Sequence, residues 1–175
     1  MSRLFFALWP DELTRGALAA AAARVDVREG RRVRAADLHL TLAFLGNVPG
    51  AAQAALMTAE PAPRAAAFTL EVGLAGWWRS SRVAWLAPLE EPLALHALHA
   101  AVSDAAAAAG LAIERRTYRP HVTIARQVRR SPRGLEAFAV RWQVTDFALV
   151  ESLQGAAAGR YEVRRRWALA DRAGN

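Results

Sequence analysis

Two short stretches of the chain repeat one pattern: a histidine, an apolar residue, a threonine and a second apolar residue. The first is HLTL at positions 39–42 and the second is HVTI at positions 121–124, in a chain with four histidines. Each copy lies in an otherwise apolar run of alternating character, which is typical of a strand with one buried face. Residues two apart on a strand point to the same side. Each copy therefore presents an imidazole and a hydroxyl on one face, with apolar side chains on the other.

The segments around the two motifs predict a mixed order of strands and helices. Strands are expected at 3–10, 37–46, 67–78, 81–89, 119–128, 138–153 and 159–170, and helices at 10–25, 49–61 and 91–110. Because the two types do not alternate strictly, this order predicts an α+β fold with largely antiparallel sheets. Each half of the chain holds one long helix and one motif strand, so we expect two related lobes that face each other across a cleft. A length of 175 residues with 54% hydrophobic content suits one domain spanning the chain.

The charge of the chain favours an anionic partner. All 23 basic residues are arginine, against 16 acidic residues, and the net charge is +7. Such a charge attracts polyanions, and the guanidinium group binds phosphate through two parallel hydrogen bonds. Two clusters flank the motifs, one formed by Arg31, Arg32 and Arg34 and the other by Arg115, Arg116 and Arg119.

The composition also excludes some classes of protein. The chain has no cysteine, which excludes disulfides and thiolate chemistry. No run of eighteen uncharged apolar residues is present, so no transmembrane helix is expected. The first residues are apolar too briefly, and acidic too soon, for a secretory signal. We expect a cytoplasmic protein that does not bind a membrane.

Paired acid–base catalysis is the chemistry that best fits two His–Thr pairs. Two histidines are too few for a tetrahedral metal site, threonine is a poor ligand, and Asp37 is the one carboxylate beside a motif. A serine nucleophile is not indicated, since no GxSxG sequence occurs. Two imidazoles can hold opposite protonation states near pH 7, so one can accept a proton while the other donates one. The threonine hydroxyls can bind an oxyanion between them, and the arginines suggest phosphate. The pattern predicts phosphoryl transfer without a metal or cofactor.

The motifs in their context resemble a known family. The stretches RLFFAL, HLTLAFLG, WWRSSRVAWL, RPHVTIAR and GRYEVRRRWAL are similar to the two-histidine phosphoesterase superfamily, and most of all to its bacterial RNA 2′,3′-cyclic phosphodiesterases, also called 2′-5′ RNA ligases. The resemblance runs from about Arg3 to Leu169. It implies a bilobal, pseudo-twofold fold, with the motif strands lining the cleft and helices outside. It also implies a monomeric, metal-independent enzyme that opens a 2′,3′-cyclic phosphate at an RNA end to a 2′-phosphate.

The same resemblance suggests a role for each candidate site residue. His39 and His121 would form the acid–base pair, and Thr41 and Thr123 would bind the phosphate. Arg126, three residues past Thr123, would contact the nucleotide. A further candidate is Phe44, which would stack on a base or, alternatively, pack in the core.

Other residues and functions stay open from the sequence. His96 and His99 have a spacing that could chelate a metal but fits ordinary helix histidines better, and Tyr118 and Arg119 either contact RNA or lead into the second motif strand. The tryptophans on predicted strands are expected in the core: Trp77, Trp78, Trp85, Trp142 and Trp167. The alternative functions are RNA ligation by the reverse reaction, RNA binding without catalysis, and hydrolysis of a small cyclic nucleotide or a 2′-5′ oligonucleotide.

Overall fold

The computed structural model describes residues 1–59, 66–113, 116–134, 138–153 and 160–170. In chain order, the described elements are strand β1 (Ser2–Leu8), helix α1 (Glu12–Arg24), strand β2 (Arg31–Arg32), a 3₁₀ turn (Ala35–Asp37), strand β3 (Leu40–Val48), helix α2 (Gly50–Thr58), strands β4 (Phe68–Trp78) and β5 (Val83–Pro88), helix α3 (Leu93–Ala108), and strands β6 (Val122–Arg126), β7 (Val140–Val144), β8 (Asp146–Ser152) and β9 (Tyr161–Ala168). The predicted α+β class is confirmed.

Local sequence signals fix the ends of the two long helices. Helix α1 starts after Asp11, whose carboxylate accepts a hydrogen bond from the Thr14 amide at 2.7 Å. Helix α3 ends at Ala108 and is closed by Gly110, which adopts a left-handed φ of 78°. The amides of Gly110 and Leu111 then donate to the carbonyls of Ala107 and Ala106. This pair of bonds satisfies the last carbonyls of the helix, as glycine after a helix commonly allows.

The strands form one antiparallel sheet in the order β7-β4-β5-β6-β3-β1-β8-β9, and β2 adds to β6. The sequence predicted two mainly antiparallel sheets, and in the structure the strands join in one continuous antiparallel sheet. The sheet nevertheless has two four-stranded halves, β7-β4-β5-β6 and β3-β1-β8-β9, which a single residue pair, Leu40 with Val122, joins. The two halves touch through their motif strands because each motif strand is the inner edge of its half.

The halves repeat one unit of strand, helix and motif strand. In the first half, β1 leads through α1 to β3, and β1 pairs antiparallel with β3. In the second half, β5 leads through α3 to β6, and β5 pairs antiparallel with β6. Each motif strand thus lies beside the strand that precedes its long helix, an arrangement that fits two related lobes.

Two predicted strand boundaries are wrong. The segment 138–153 was expected to be one strand, but it divides at Thr145 into β7, which pairs with β4, and β8, which pairs with β1 and β9. The chain crosses there from one half of the sheet to the other. Strand β3 was expected to stop at Gly46 but continues to Val48, because a register shift in its pairing with β1 accommodates the left-handed φ of 69° at Gly46.

The sheet has a helix-covered face and a second face that carries the polar motif residues. The main core combines strand residues such as Leu40 and Val122 with Leu18 of α1 and Leu98 of α3, all fully buried. On the other face a small cluster of Phe5, Ala7, Ala148 and Val150 packs with Trp9, Tyr161 and Val163. No helix among the described residues is long and apolar enough to cross a membrane.

Candidate active site

The two motifs lie side by side at the centre of the sheet. The pair Leu40–Val122 is antiparallel, so continuing its register by one residue sets His39 opposite Thr123 and Thr41 opposite His121. Directly opposite residues on one face have Cβ atoms about 5 Å apart, and diagonal ones about 7–8 Å apart. The two imidazoles are such a diagonal pair. The structure therefore brings the four predicted residues together on one face.

The alternation predicted for both strands is observed. On the core side, Leu38, Leu40, Leu42, Val122 and Ile124 are each at most 2% exposed. On the other side, the two histidines and two threonines are half-buried. No hydrogen bond from either threonine hydroxyl is found within the described part of the chain, so both hydroxyls are available to a ligand.

Each motif strand carries a β-bulge directly after its threonine. In β3, Ala7 pairs with Thr41 and Phe6 with Ala43, which leaves Leu42 as the extra residue. In β6, Trp85 pairs with Thr123 and Ala84 with Ala125, which leaves Ile124 as the extra residue. A bulge shifts the alternation of the following residues by one.

The bulges explain where the structure places Phe44 and Arg126. Each lies three residues past the motif threonine, and without the bulge would point to the opposite face. Instead the two residues between are buried in both strands, while Phe44 and Arg126 are exposed. Both therefore share the face of the histidines. The Arg126 charge acts on both imidazoles, which places its guanidinium near them.

Both histidines are held in the same tautomer by the backbone. The His39 Nδ1 lies 2.7 Å from the carbonyl oxygen of Asp37, and the His121 Nδ1 lies 2.7 Å from that of Arg119. A carbonyl oxygen can only accept, so each Nδ1 carries the proton and donates it. The Nε2 of each neutral ring can then accept a proton from a ligand, and the Nε2 of the imidazolium can give one to it.

Aromatic rings surround the imidazoles unequally. His39 stacks on Trp9 at 5.2 Å between ring centroids and also contacts Phe5 at 4.9 Å and Tyr161 at 5.1 Å. His121 meets the ring of Trp78 edge-on at 4.6 Å. The first imidazole is therefore the more enclosed of the two.

This enclosure lowers the pKa of both histidines. Burial away from water is the main cause for His39, and the charges of Arg126 and His121 add to it, so that its pKa falls from 6.5 to about 4. For His121 the pKa is also lowered, first by burial and then by Arg126. Desolvation and nearby positive charge both disfavour the imidazolium. In the free protein at neutral pH, the His39 ring is neutral and the His121 ring is biased towards the neutral form.

A cleft opens at the end of the site that Thr41 and His121 share. It has a volume of about 580 Å³ and is lined by Thr41, Leu42, Ala43, Phe44, Trp78, Ser80, Ser81, His99, Ile113, Arg116, Thr117, Tyr118, Arg119 and His121. Phe44 is 41% exposed there, with the Arg3 guanidinium 5.0 Å from its ring centroid. The alternative that Phe44 packs in the core is wrong.

His99 and Tyr118 line the cleft and support the first motif strand. Tyr118 donates from its hydroxyl to the Thr41 carbonyl at 3.3 Å, and His99 donates from Nδ1 to the Leu42 carbonyl at 2.7 Å. Their rings stack at 4.0 Å, and burial raises the pKa of Tyr118. His96 instead pairs with Glu91 at 2.8 Å. Because His96 and His99 bind different partners, they do not form a chelating pair.

Some residues of the site were not predicted from the sequence. Trp78, expected in the core, is half-buried and lines the cleft against His121, whereas Trp142 and Trp167 are buried as predicted. Trp9 and Tyr161, which enclose His39, were not considered. The position of Trp9 could have been predicted from alternation. Phe5, Ala7 and Trp9 are spaced two apart along β1 and its continuation, so they point to the same face.

No group of three or more His, Asp or Glu residues suited to a metal ion occurs among the described residues. The prediction that the reaction needs no metal depends on the two-histidine chemistry and is tested below.

Comparison with known proteins agrees with this geometry. Residues 10–156 match the sequence model of the 2′-5′ RNA ligase superfamily. The chain belongs to this family. It is 36% identical over 172 residues to the RNA 2′,3′-cyclic phosphodiesterase of Escherichia coli K12, covering 95% of this chain and 96% of that protein.

Solved structures of the family also resemble this chain over nearly its whole length. The crystal structure of E. coli LigT complexed with 3′-AMP has a TM-score of 0.84 and 34% identity, covering 97% of this chain and 99% of that one. The structure of E. coli LigT complexed with phosphate has a TM-score of 0.80 and 33% identity, covering 97% and 98%. The predicted resemblance is thereby confirmed.

Proposed function

We propose that this protein is an RNA 2′,3′-cyclic phosphodiesterase that opens the cyclic phosphate at an RNA end to a 2′-phosphate. The observation that carries the proposal is the convergence of two His–Thr pairs on one sheet face. Each histidine uses Nδ1 for a backbone carbonyl, and no hydrogen bond to either Nε2 is found among the described residues. A relative with 36% identity is named for this activity, and a structural relative was solved with 3′-AMP bound.

The reaction needs one proton acceptor and one proton donor on opposite sides of phosphorus. One neutral imidazole takes a proton from water at Nε2 as the water oxygen bonds to phosphorus. The bond from phosphorus to O3′ breaks, and the other histidine, as imidazolium, gives its Nε2 proton to O3′. The products are a 2′-phosphate and a free 3′-hydroxyl, and the two histidines exchange protonation states.

Substrate binding promotes protonation of one imidazole, which takes the proton from solvent. The pKa of both rings is lowered in the free protein, mainly by burial. A cyclic phosphate brings a negative charge between them, which favours the imidazolium and raises the pKa of the nearer ring. The depressed values thus keep one ring available as base, while the substrate itself promotes protonation of the other.

The remaining site residues bind the substrate in this scheme. The Thr41 and Thr123 hydroxyls donate to the non-bridging phosphate oxygens, whose charge grows as water attacks. Arg126, exposed on the β6 side of the same face, contacts the nucleotide. Phe44, exposed in the cleft, stacks on the base of the terminal nucleotide. All of these side chains come from one chain, which supports a monomer as the active species.

The decisive experiment is product analysis on an RNA that ends in a 2′,3′-cyclic phosphate. We expect a 2′-phosphate product, with a rate that excess chelator leaves unchanged. His39→Ala and His121→Ala should each lower kcat by about 10²–10⁴-fold, the usual contribution of a positioned acid or base. A 3′-phosphate product would mean that the other ester bond breaks. If chelator abolishes the rate and a divalent ion restores it, a metal has the role assigned here to the histidines.

A sulfur atom in place of O3′ separates the acid from the base, because a thiolate leaves without being protonated. From the family resemblance we assign His39 as the acid and His121 as the base, which requires the bound phosphate to raise the pKa of the more enclosed ring. This substrate should therefore restore the rate of His39→Ala and not that of His121→Ala. The opposite pattern would reverse the assignment, and rescue of neither variant would mean that protonation of the leaving group is not what the histidines provide.

A further inference from the structure

Two arginines lie directly opposite each other beside the catalytic residues. In the β2–β6 pairing, Arg31 is the register partner of Arg126. Directly opposite residues of an antiparallel pair project from the same face, and like charges in that position are destabilising. Both side chains are exposed, and neither forms an ion pair or a side-chain hydrogen bond within the described part of the chain. Such a pair is most stable with an anion between the two charges.

The neighbouring residue confirms the direction of Arg31. Arg32 donates to the carbonyls of Ala22 and Val25 at the end of α1, at 3.0 and 2.6 Å, so it points to the helix-covered face. Adjacent residues of a strand point to opposite faces. Arg31 therefore projects from the face that carries the histidines, as Arg126 does.

A close backbone approach holds the two arginines together. Gly30, just before Arg31, lies so near β6 that a Cβ on it would meet Val128 Cγ2 at 2.9 Å and the Arg126 carbonyl oxygen at 3.1 Å. Only glycine allows this spacing without displacement of one of these groups. The juxtaposition is thus a defined feature of the fold.

The acidic residues nearby do not neutralise the pair. Three acidic residues lie between positions 24 and 39, and each binds a different arginine. Asp26 pairs with Arg28 at 3.0 Å, Glu29 with Arg130 at 3.2 Å, and Asp37 with Arg34 at 2.8 Å. The local carboxylates are therefore engaged while Arg31 and Arg126 keep their charge available.

The pair lies at the end of the site opposite the cleft. Along β6 the site face carries His121, Thr123 and then Arg126, and β2 continues the edge that His39 occupies. Arg126 lies three positions past Thr123, which is at most about 10 Å along a strand. A phosphate between the histidines would thus have a second cationic position within the reach of a short RNA.

We propose that Arg31, together with Arg126, binds a second phosphate of the RNA, the phosphodiester next to the reacting end. Arg31 then makes the enzyme prefer an oligonucleotide end over a mononucleotide. This inference rests on the proposed function for its substrate. It adds a residue that recognises the length of the RNA and has no part in the proton transfers.

The test compares two substrates in Arg31→Met, which removes the charge and keeps most of the side-chain length. One substrate is 2′,3′-cyclic AMP, which has no second phosphate, and the other is a six-nucleotide RNA with a cyclic end. For the RNA we expect KM to rise so that kcat/KM falls about tenfold, the loss expected for one charge-assisted contact. For the mononucleotide we expect kcat/KM to stay within about twofold. The matched control is Arg141→Met, which removes an exposed arginine on the outer strand β7 and should change neither substrate.

Salt dependence gives a second readout that does not require catalysis. The Kd for a six-nucleotide RNA ending in a 2′-phosphate is measured over a range of salt concentrations. One lost phosphate contact should reduce the slope of log Kd against log salt by about 0.7 for a single strand. The slope should be unchanged in Arg141→Met. If the parent enzyme hydrolyses neither substrate, the proposed function fails while this slope still decides the role of Arg31.

Two results would overturn the inference. An equal loss on both substrates would mean that Arg31 acts on the reacting phosphate or on the fold, which thermal unfolding of the variant would distinguish. If Arg31→Met keeps the kcat/KM of the parent enzyme on the RNA and the same slope of log Kd against log salt, Arg31 contacts no phosphate.

Discussion

The enclosure of His39 has a measurable consequence for stability. In the unfolded chain this imidazole has a pKa of 6.5, and in the folded protein its pKa is about 4. Between these values the unfolded state binds more protons than the folded state, so acid favours unfolding. The shift amounts to about 3 kcal/mol when converted at about 1.4 kcal/mol per pKa unit. This contribution is fully present above pH 6.5 and is lost as the pH falls towards 4.

The variant His39→Asn isolates this contribution. Asparagine can still donate to the Asp37 carbonyl but does not titrate. The replacement lowers stability at neutral pH because it leaves space beside Trp9 and Phe5, so the comparison must be between two pH values. From about pH 7.5 to about pH 4.5, the parent protein should lose about 2.5 kcal/mol more than the variant. Carboxylates also titrate in this range, but they do so in both proteins and cancel in the difference.

The assay is urea unfolding of both proteins at the two pH values, with an NMR titration of the His39 ring as an independent measure. Trp9→Ala admits water to the ring and should move its midpoint back towards 6.5. An equal acid loss in the parent and in His39→Asn, or a midpoint near 6.5 in the parent, would refute the claim that burial keeps this histidine neutral.

Three further predictions concern activity. Because the pKa of both histidines is lowered in the free protein, the acid limb of kcat/KM should lie below pH 6.5. The acid limb of kcat should lie at higher pH, because the bound phosphate raises the pKa of the histidines. Measuring kcat/KM and kcat as functions of pH checks both expectations. Tyr118→Phe removes the hydrogen bond to the Thr41 carbonyl. Urea unfolding should show a loss of about 1 kcal/mol in stability. Steady-state kinetics should show a larger change in kcat than in KM. Phe44→Ala should raise KM by about tenfold or more through lost stacking on the base, with kcat nearly unchanged and Phe44→Trp restoring the KM.

The faces of the motif strands could be predicted because alternation is a local property. In each strand, apolar residues alternate with His and Thr. Up to the threonine, the apolar residues are buried and the His and Thr residues lie on the other face. The ends of α1 and α3 could be predicted to within two residues for the same reason, since capping depends on a few adjacent residues. That the two motifs meet could be inferred only from their repetition.

The rest depends on partners that are distant in sequence. The bulges at Leu42 and Ile124 arise in the pairing with β1 and β5, and simple parity assigns Arg126 to the wrong face. The break at Thr145 is invisible in the sequence because alternation and apolar content continue through it. Trp78 was assigned to the core because a tryptophan on an apolar strand usually packs there, and its position beside His121 depends on the hairpin between β4 and β5. A single domain, a monomer and a cytoplasmic location stay predictions.

The two bulges also explain how a nearly symmetric site can bind an asymmetric substrate. Both strands carry the pattern His-x-Thr-x-Ala-x, and in both the last residue returns to the site face. That residue is Phe44 at the cleft end and Arg126 at the other. An aromatic ring favours a base, and a cation, here beside Arg31, favours phosphate. In-line attack requires the two histidines to act from opposite sides of phosphorus, so their roles must differ although their surroundings are related by the repeat. The fold supplies two equivalent positions, and we infer that the side chains at these two positions determine which way round the nucleotide lies between the histidines.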